Sequence, residues 1–366
     1  MIYRASGRTE IIGNHCDHQN GRVIAAAIDR YIEAEVEPRD DDQVTLVQEE
    51  HGRISLSLSD TLIRTEEKET SASLVRGVAA YFTEKGYRLR GFDAKVTSHV
   101  PVGSGVSSSA AYEILIGRIL TGLSDRGTAD PVSLAIAGLY AENHYFGKPS
   151  GLMDQMAIAN GGMTYIDFAD PQKPENIRMD FDVEDYGYKL CLVGTGSSHS
   201  DLTDDYASIP HDMRKVAEYF GKRVLREVDR AEFEASIPQI RKKCGDRAVL
   251  RAAHFFGENL RVLRLREAVE RRDITNYIDL VRQSGRSSYE LLQNIYPPGA
   301  ASDQSIALAL MLAERALEGE GACRVHGGGF AGTIQAYVPE DRIELFRDVM
   351  ENAFGPASCH FVTVSS

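Results

Sequence analysis

The pattern of apolar and polar positions changes period several times along the chain. Residues 22 to 39, "RVIAAAIDRYIEAEVEPR", open with an unbroken apolar run and then alternate. That pattern predicts a strand that is first fully and then half buried. "QVTLVQEE" and "GRISLSLSD" alternate on either side of a polar break and predict a hairpin. "SASLVRGVAAYFTEKGY", 71 to 87, has apolar residues at helical spacing and a glycine near its end, which predicts a helix. "GFDAKVTSHV" reads as a strand that runs into "PVGSGVSSSAAYEILIGRILTGLS", a glycine–serine loop followed by a helix.

In the second half, "YKLCLVGTG" (188 to 196) predicts a strand ending in glycines, and a long helical stretch follows from about 211 to 293. Pro297, Pro298 and Gly299 break it, and "DQSIALALMLAERALEGEG" resumes as a helix. "GTIQAYVP", "DRIELFRDVMENAF" and "CHFVTVS" then predict strand, helix and strand. The fold class is α+β, without an internal repeat. "ADPQKPEN" lacks periodicity and places a boundary near 170 to 187, so two domains are expected, 1–180 and 181–366.

Composition narrows the partners. A length of 366 residues suits two domains, and the formal net charge of −13 argues against nucleic acid or an anionic membrane surface as the main partner. Five scattered cysteines without a C-x-x-C pair fit reduced thiols in a cytosol. The first ten residues hold no apolar signal region, and the longest apolar run, "IALALMLA", is too short to span a bilayer. A soluble cytoplasmic protein is expected.

Four stretches could carry chemistry. In "PVGSGVSSSAAYEIL" the glycines at 103 and 105 expose backbone N–H groups ahead of a helix N-terminus, and serines 107 to 109 add hydroxyls. Such a loop attracts phosphate and can supply a ligand to Mg²⁺. Serine capping of the helix is the alternative. In "AENHYFGKPSGLMDQ" a turn of Gly147, Pro149 and Gly151 separates Glu142 from Asp154. One carboxylate could hold Mg²⁺ and the other accept a proton. Taken alone, solvated or capping carboxylates are the plainer reading. "RVHGGGFAG" brings Gly327, Gly328 and Gly329 together with Gly332, which permits positive φ or close approach to a ligand. Last, "IIGNHCDHQNG" packs Asn14, His15, Asp17 and His18 into one polar turn. No second His/Cys pair at structural-zinc spacing accompanies it, so sugar hydroxyls suit it better than zinc. Arg8, nine residues before Asp17, could offset negative charge between a phosphate and a nucleophile.

In this order the four stretches resemble the GHMP small-molecule kinases and, within them, the galactokinases. "ASGRTEIIGNHCDHQNGRVIAAAID" is similar to the galactokinase signature A-P-G-R-V-N-L-I-G-E-H-T-D-Y with its Asn/Gly turn. "PVGSGVSSSAAYE" is similar to the phosphate-binding motif, "AENHYFGKPSGLMDQMAIANGG" to the segment with the catalytic aspartate, and "RVHGGGFAG" to the third motif. With weaker similarity in "GTGSSHSDLTDDY" and "LRAAHFFGENLRV", the resemblance runs from residue 4 to about 335.

The resemblance implies a two-domain GHMP kinase fold with its active site in the interdomain cleft, including a left-handed β-α-β unit. It implies a sugar 1-kinase that uses ATP and Mg²⁺, with a small sugar as partner; nothing in the sequence fixes the oligomeric state, and a monomer is the favoured expectation. By position, Asp154 corresponds to the base that takes the anomeric proton, and Arg8 to the arginine that stabilises it. Glu142 and Ser109 (or Ser108) correspond to Mg²⁺ ligands. Gly103, Ser104, Gly105, Val106, Ser107, Ser108, Ser109 and Ala110 correspond to the ATP phosphate loop. Asn14, His15, Asp17, Gly151 and Tyr206 correspond to sugar-binding positions.

Departures bear on the substrate. Asn14 stands where galactokinases have the Glu that faces the sugar C6 hydroxyl, Cys16 replaces Thr and His18 replaces Tyr. An amide is uncharged and can donate as well as accept. The H-x-D-H-Q-x-G form also resembles plant galacturonate kinases. Galactose is therefore the first expectation and galacturonate the alternative, with Lys148 or a distant residue available to a carboxylate. A catalytically silent sugar sensor is a second alternative. The H-x-D pair and "GLMDQ" favour sugar over a non-sugar alcohol. "ASIPHDMRK" after Tyr206 and "VRQSGRSSYELLQNIYPPG" also depart from the family pattern. The segment that leads into the first motif is expected to be abbreviated.

Overall fold

The computed structural model describes residues 1–48, 52–100, 105–148, 150–197 and 202–365. In the first half, strands β1 (Ile2–Ile12), β2 (Arg22–Pro38), β3 (Gln43–Gln48) and β4 (Gly52–Ser57) precede helix α1 (Ser71–Glu84) and strand β5 (Phe92–Ser98). Helices α2 (Ser108–Gly122), α3 (Pro131–Tyr140) and α4 (Met153–Asn160) lead to strands β6 (Met163–Asp167) and β7 (Glu175–Met179). In the second half, β8 (Tyr188–Gly194) is followed by α5 (Thr203–Tyr219), α6 (Arg230–Cys244), α7 (Asp246–Glu270), α8 (Ile274–Ser287) and α9 (Ser305–Leu317). Strands β9 (Ala322–Val325) and β10 (Thr333–Pro339), helix α10 (Ile343–Phe354) and strand β11 (Cys359–Val362) complete it.

The strands form two sheets, one of order β4-β3-β5-β2-β6-β7 with β1 also on β2, the other of order β11-β8-β10-β9. Strands up to Met179 build the first and strands from Tyr188 build the second. The expected hairpin is β3–β4, and the long predicted strand is β2, whose apolar start from Val23 to Ile28 is buried on both faces. Helix α2 is buried along most of its length because it packs on β1, β2, α1, α3 and α4.

The helical stretch expected from about 211 to 293 is divided into α5 to α8. Its Arg, Glu, Leu and Ala residues all favour helix, so composition does not show the breaks. Backbone conformation and caps make them: Gly245 turns at φ 90° between α6 and α7, and Asp229 and Asp273 accept the N–H groups of Glu232 and Asn276 to start α6 and α8.

Helices α7 and α8 face β1 and carry polar groups into its far end. Glu258, fully buried on α7, accepts the Gly13 N–H at 3.0 Å, Ser284 Oγ at 2.5 Å and Arg261 Nε at 2.8 Å. Burial would raise this carboxyl, but Arg261 and the neighbouring cationic and hydroxyl groups hold it down to about 2. At the other end of the chain, Thr363–Ser365 return to β2, where Thr363 O accepts from Asp29 and Ser365 N–H donates to Ala27. Among the described residues no helix is long and apolar enough to cross a membrane.

Glu258→Gln leaves Arg261 without its counter-charge and is expected to lower unfolding free energy by about 3 kcal/mol at neutral pH. A carboxyl held low in the folded state stabilises above its ordinary pKa, and that stability is lost as pH falls through the folded value. Denaturant unfolding across pH should therefore show a constant difference between variant and wild type above about pH 4.5, shrinking toward pH 2.

Candidate active site

The site begins at an irregularity in β1. The β1–β2 register shifts between Ser6 and Arg8, and at that point the Arg8 N–H leaves β2 and donates to Val106 O at 3.1 Å. Gly7 permits the approach, because a Cβ there would lie 3.0 Å from Val106 O. The bulge aims Arg8 across the end of the sheet. Its Nε and Nη2 bind Asp154 Oδ1 and Oδ2 at 2.7 and 2.8 Å, and Nη1 donates to Gly105 O at 2.6 Å. This is a two-point fork on a carboxylate in the first turn of α4. Ser107 Oγ also donates to Asp154 Oδ2. Burial pushes the Asp154 carboxyl up, but the Arg8 guanidinium and Ser107 outweigh it, leaving the carboxyl below its ordinary value. Asp154 is thus an anion whose hydrogen-bond partners are fixed before any ligand arrives.

Ser107 precedes α2 in the left-handed region, at φ 59°, a cost that a serine bears where a tertiary contact holds it. Its hydroxyl makes no cap to α2. The first-turn N–H groups of α2 therefore lack the side-chain cap that a serine there would ordinarily give, which leaves a helix N-terminus beside Asp154 of the kind that suits an anion. Gly105, at φ 71°, belongs to the same loop. Gly103 and Ser104 of the expected phosphate loop lie outside the described residues, as does Pro149.

Glu142 sits in a π-helical turn, Ala141–Phe146, that continues α3, and it is buried. Ser109 Oγ lies 3.4 Å from its Oε1, and Lys148 Nζ lies 2.9 Å from the same oxygen. Gln155, the residue after Asp154, donates to Glu142 Oε2 and to Glu113 Oε2, each at 3.0 Å. Burial and the Glu142 charge push the Glu113 carboxyl well above its ordinary value.

The polar turn after β1 is held from both sides. His254 Nε2 donates to Asn14 O at 3.0 Å. Asn14 Nδ2 donates to Glu10 Oε2 at 3.2 Å and to Gly327 O at 2.8 Å, while its Oδ1 accepts from Asn294 at 2.8 Å. The Asn14 amide is 1% exposed, and both its donors serve the protein. His15, at φ 55°, donates from Nε2 to Gly328 O at 3.0 Å. A carbonyl only accepts, so Nδ1 is the bare nitrogen, and it has no partner. Burial, then His18, lowers His15 to about 3, which keeps the ring neutral. Asp17 lies against Gly151: a Cβ there would be 1.9 Å from Asp17 Oδ2.

The three consecutive glycines turn their carbonyls toward these residues. Gly327 O takes Asn14, Gly328 O takes His15 and Asn294, and Gly329 O takes the Tyr206 hydroxyl at 2.9 Å. Positive φ at Gly327 and Gly329 makes this possible, and a Cβ on Gly328 would meet Tyr206 Cε1 at 2.5 Å. The arrangement joins an uncapped helix N-terminus, an ionised aspartate and a polar turn. Residues from both halves of the chain contribute to it.

The chain is similar to known proteins. Residues 73–162 match the GHMP kinases N terminal domain, and residues 1–38 match the galactokinase galactose-binding signature. The galactokinase of Actinobacillus pleuropneumoniae serotype 3 is 31% identical over 96% of this chain and 88% of its own length. The chain belongs to the galactokinase-like GHMP kinases. It is accordingly a sugar kinase, a phosphotransferase. The galactokinase of Glaesserella parasuis is 29% identical over 94% of the chain and 87% of its own length. Among solved structures, Lactococcus lactis galactokinase complexed with galactose superposes with a TM-score of 0.84 at 24% identity, covering 100% of this chain and 94% of the other. Methanococcus jannaschii mevalonate kinase gives 0.68 at 15% identity, covering 100% and 98%. Both show the same fold.

Within this kinase the structure gathers Arg8, Asp154 and Gly105–Ala110 at one place, and Asn14, His15 and Tyr206 at the glycine carbonyls, with Asp17 and Gly151 against each other. Sequence reading did not single out the Ser107 bond to Asp154, nor His254, Glu258 and Asn294 behind the polar turn. "LRAAHFFGENLRV" did carry a signal for His254 and Glu258, as a weakly similar segment. Asn294 fell in a segment that departs from the family.

Gly151→Ala would drive Asp17 out of position. The expected result is a rise in sugar KM of about tenfold or more, as for loss of a charge-assisted hydrogen bond, with an unchanged thermal midpoint. Steady-state kinetics and thermal melts of the variant check both.

Proposed function

We propose that this enzyme transfers the γ-phosphoryl group of ATP to the anomeric C1 hydroxyl of a hexose, with galactose the first candidate. The observation that carries the proposal is the Arg8 fork on Asp154, 2.7 and 2.8 Å, beside an uncapped helix N-terminus. Asp154 is the base: it takes the C1 hydroxyl proton as the oxygen attacks the γ-phosphorus and the bond to the β–γ bridging oxygen breaks, releasing ADP. Its lowered pKa suits a late, partial proton transfer in a loose transition state, where positioning and charge neutralisation dominate. Arg8 and the α2 amides face the developing phosphate charge. Asp17 and the bare His15 nitrogen accept from sugar hydroxyls, and Tyr206 and Gly151 shape the pocket.

Glu142 and Ser109 would hold Mg²⁺, which neutralises phosphate charge when bound. The donor set fits: hard oxygens, one of them already carrying the Lys148 ammonium, with few protein ligands, as Mg²⁺ on a nucleotide requires. Among the described residues there is no cluster of three or more His, Cys, Asp or Glu suited to a fully protein-bound metal. In this reading residues 1–180 and 181–366 are the two domains, the site lies between them, and the enzyme acts as a cytoplasmic monomer.

Galacturonate is the second reading, favoured by one observation: residue 14 is an amide whose donors are occupied by Glu10 and Gly327, so no carboxylate from this position opposes a C6 carboxylate. Sugar-dependent ADP release with Mg·ATP over galactose, galacturonate, N-acetylgalactosamine, arabinose and glucose decides between them. Turnover on galactose that falls about 10³-fold or more in Asp154→Asn is the expected result. Turnover on galacturonate alone would move the specificity. Silence on every sugar, with Mg·ATP still bound, would make the protein a sensor.

A further inference from the structure

Beside Arg8 on β1 stands Thr9, whose buried hydroxyl links two side chains from the second sheet and its loop. Gln335 Nε2 donates to Thr9 Oγ1 at 2.6 Å, and His326 Nε2 lies 3.0 Å from the same oxygen. Thr9 Oγ1 accepts that amide hydrogen and, among the described residues, His326 Nε2 is its one other partner, so the buried hydroxyl keeps its own hydrogen paired by donating it to Nε2. That nitrogen is then the bare one, and the ring proton sits on Nδ1. Burial, with Arg8 and Arg324 close by, keeps the His326 ring well below its ordinary pKa and neutral, with one proton to donate.

That proton has no acceptor. His326 is 3% exposed, and Nδ1 makes no hydrogen bond. A buried N–H in this state calls for a missing partner. Its surroundings point to one. A Cβ on Gly105 would lie 3.2 Å from Nδ1, so the nitrogen packs against the bare Cα of Gly105, at the loop that leads into α2. The same Gly105 gives its carbonyl to Arg8 at 2.6 Å, which places the ring beside the Arg8–Asp154 pair.

We infer that His326 is a further phosphate-contacting residue, its Nδ1–H donating past Gly105 to a phosphate oxygen of the nucleotide. The inference rests on the proposed use of ATP at this loop. A neutral donor suits the position. A second cation next to Arg8 would be repelled by it and would weaken Asp154 as a base, whereas an imidazole N–H adds a hydrogen bond without charge.

Two measurements test this. Long-range ¹H–¹⁵N spectra of protein labelled at its histidine rings report the tautomer, with the His326 signals identified by their loss in the variants. The expected spectrum has a protonated Nδ1 and a bare Nε2, and Nδ1 shifts on addition of Mg·ATP but not of adenosine. The variants separate the two nitrogens: an asparagine amide nitrogen falls near Nδ1, while glutamine reaches the Nε2 position and still accepts from Thr9. By calorimetric titration, His326→Asn should bind Mg·ATP within about threefold of wild type and His326→Gln about tenfold more weakly. The reverse order, equal binding by all three proteins, or an Nδ1 signal indifferent to Mg·ATP overturns the inference alone. Failure of the wild type to bind Mg·ATP overturns the nucleotide reading of the loop, and this inference with it.

Discussion

The site depends on one contact, the fork of Arg8 on Asp154. The two residues are 146 positions apart, and each comes from a rigid element: Arg8 from the bulge in β1, Asp154 from the first turn of α4. Removing either partner would leave an unpaired charge in a half-buried setting, which costs several kcal/mol. The fork also recruits the loop between them. Arg8 donates from its guanidinium to Gly105 O and from its backbone N–H to Val106 O, while Ser107 turns to Asp154 instead of capping α2. The pair that fixes Asp154 thus leaves the end of the helix without its side-chain cap.

Behind this lies a buried polar framework that joins the first motif to the third. Arg324 on β9 donates to Glu10 Oε1 and to Ile11 O, both at 2.6 Å, with the guanidinium fully buried. Burial raises the Glu10 carboxyl above its ordinary value, and Arg324 opposes the rise without cancelling it. Asn14, His254 and Asn294 extend the framework to the polar turn. An uncharged residue at position 14 fits beside Glu10, since a second carboxylate there would face the first across a buried site. The glycine carbonyls complete the set, and their role is to receive protein donors as much as to approach a ligand.

Much of this was legible in the sequence. The apolar run and alternation of β2, the β3–β4 hairpin and the glycine–serine turn into α2 have periods that local sterics dictate. The motif residues at positions 8, 142, 151 and 154 could be singled out because the family pattern spaces them. Contacts closed by tertiary structure were not. Asn294 reaches Asn14 across 280 residues and Arg324 reaches Glu10 across 314, distances over which no local pattern carries information. Ser107 misleads in the other direction, since a serine before a helix reads as a cap until its partner is seen.

The central claim is that Arg8 and Asp154 work as one unit, and a double-mutant cycle on single-turnover phosphoryl transfer tests it most directly. Arg8→Met and Asp154→Asn should each slow transfer strongly, and the double variant should be slower than the worse single by less than about tenfold, as for residues that act together. Losses that multiply in the double variant would show two independent contributions and contradict the account.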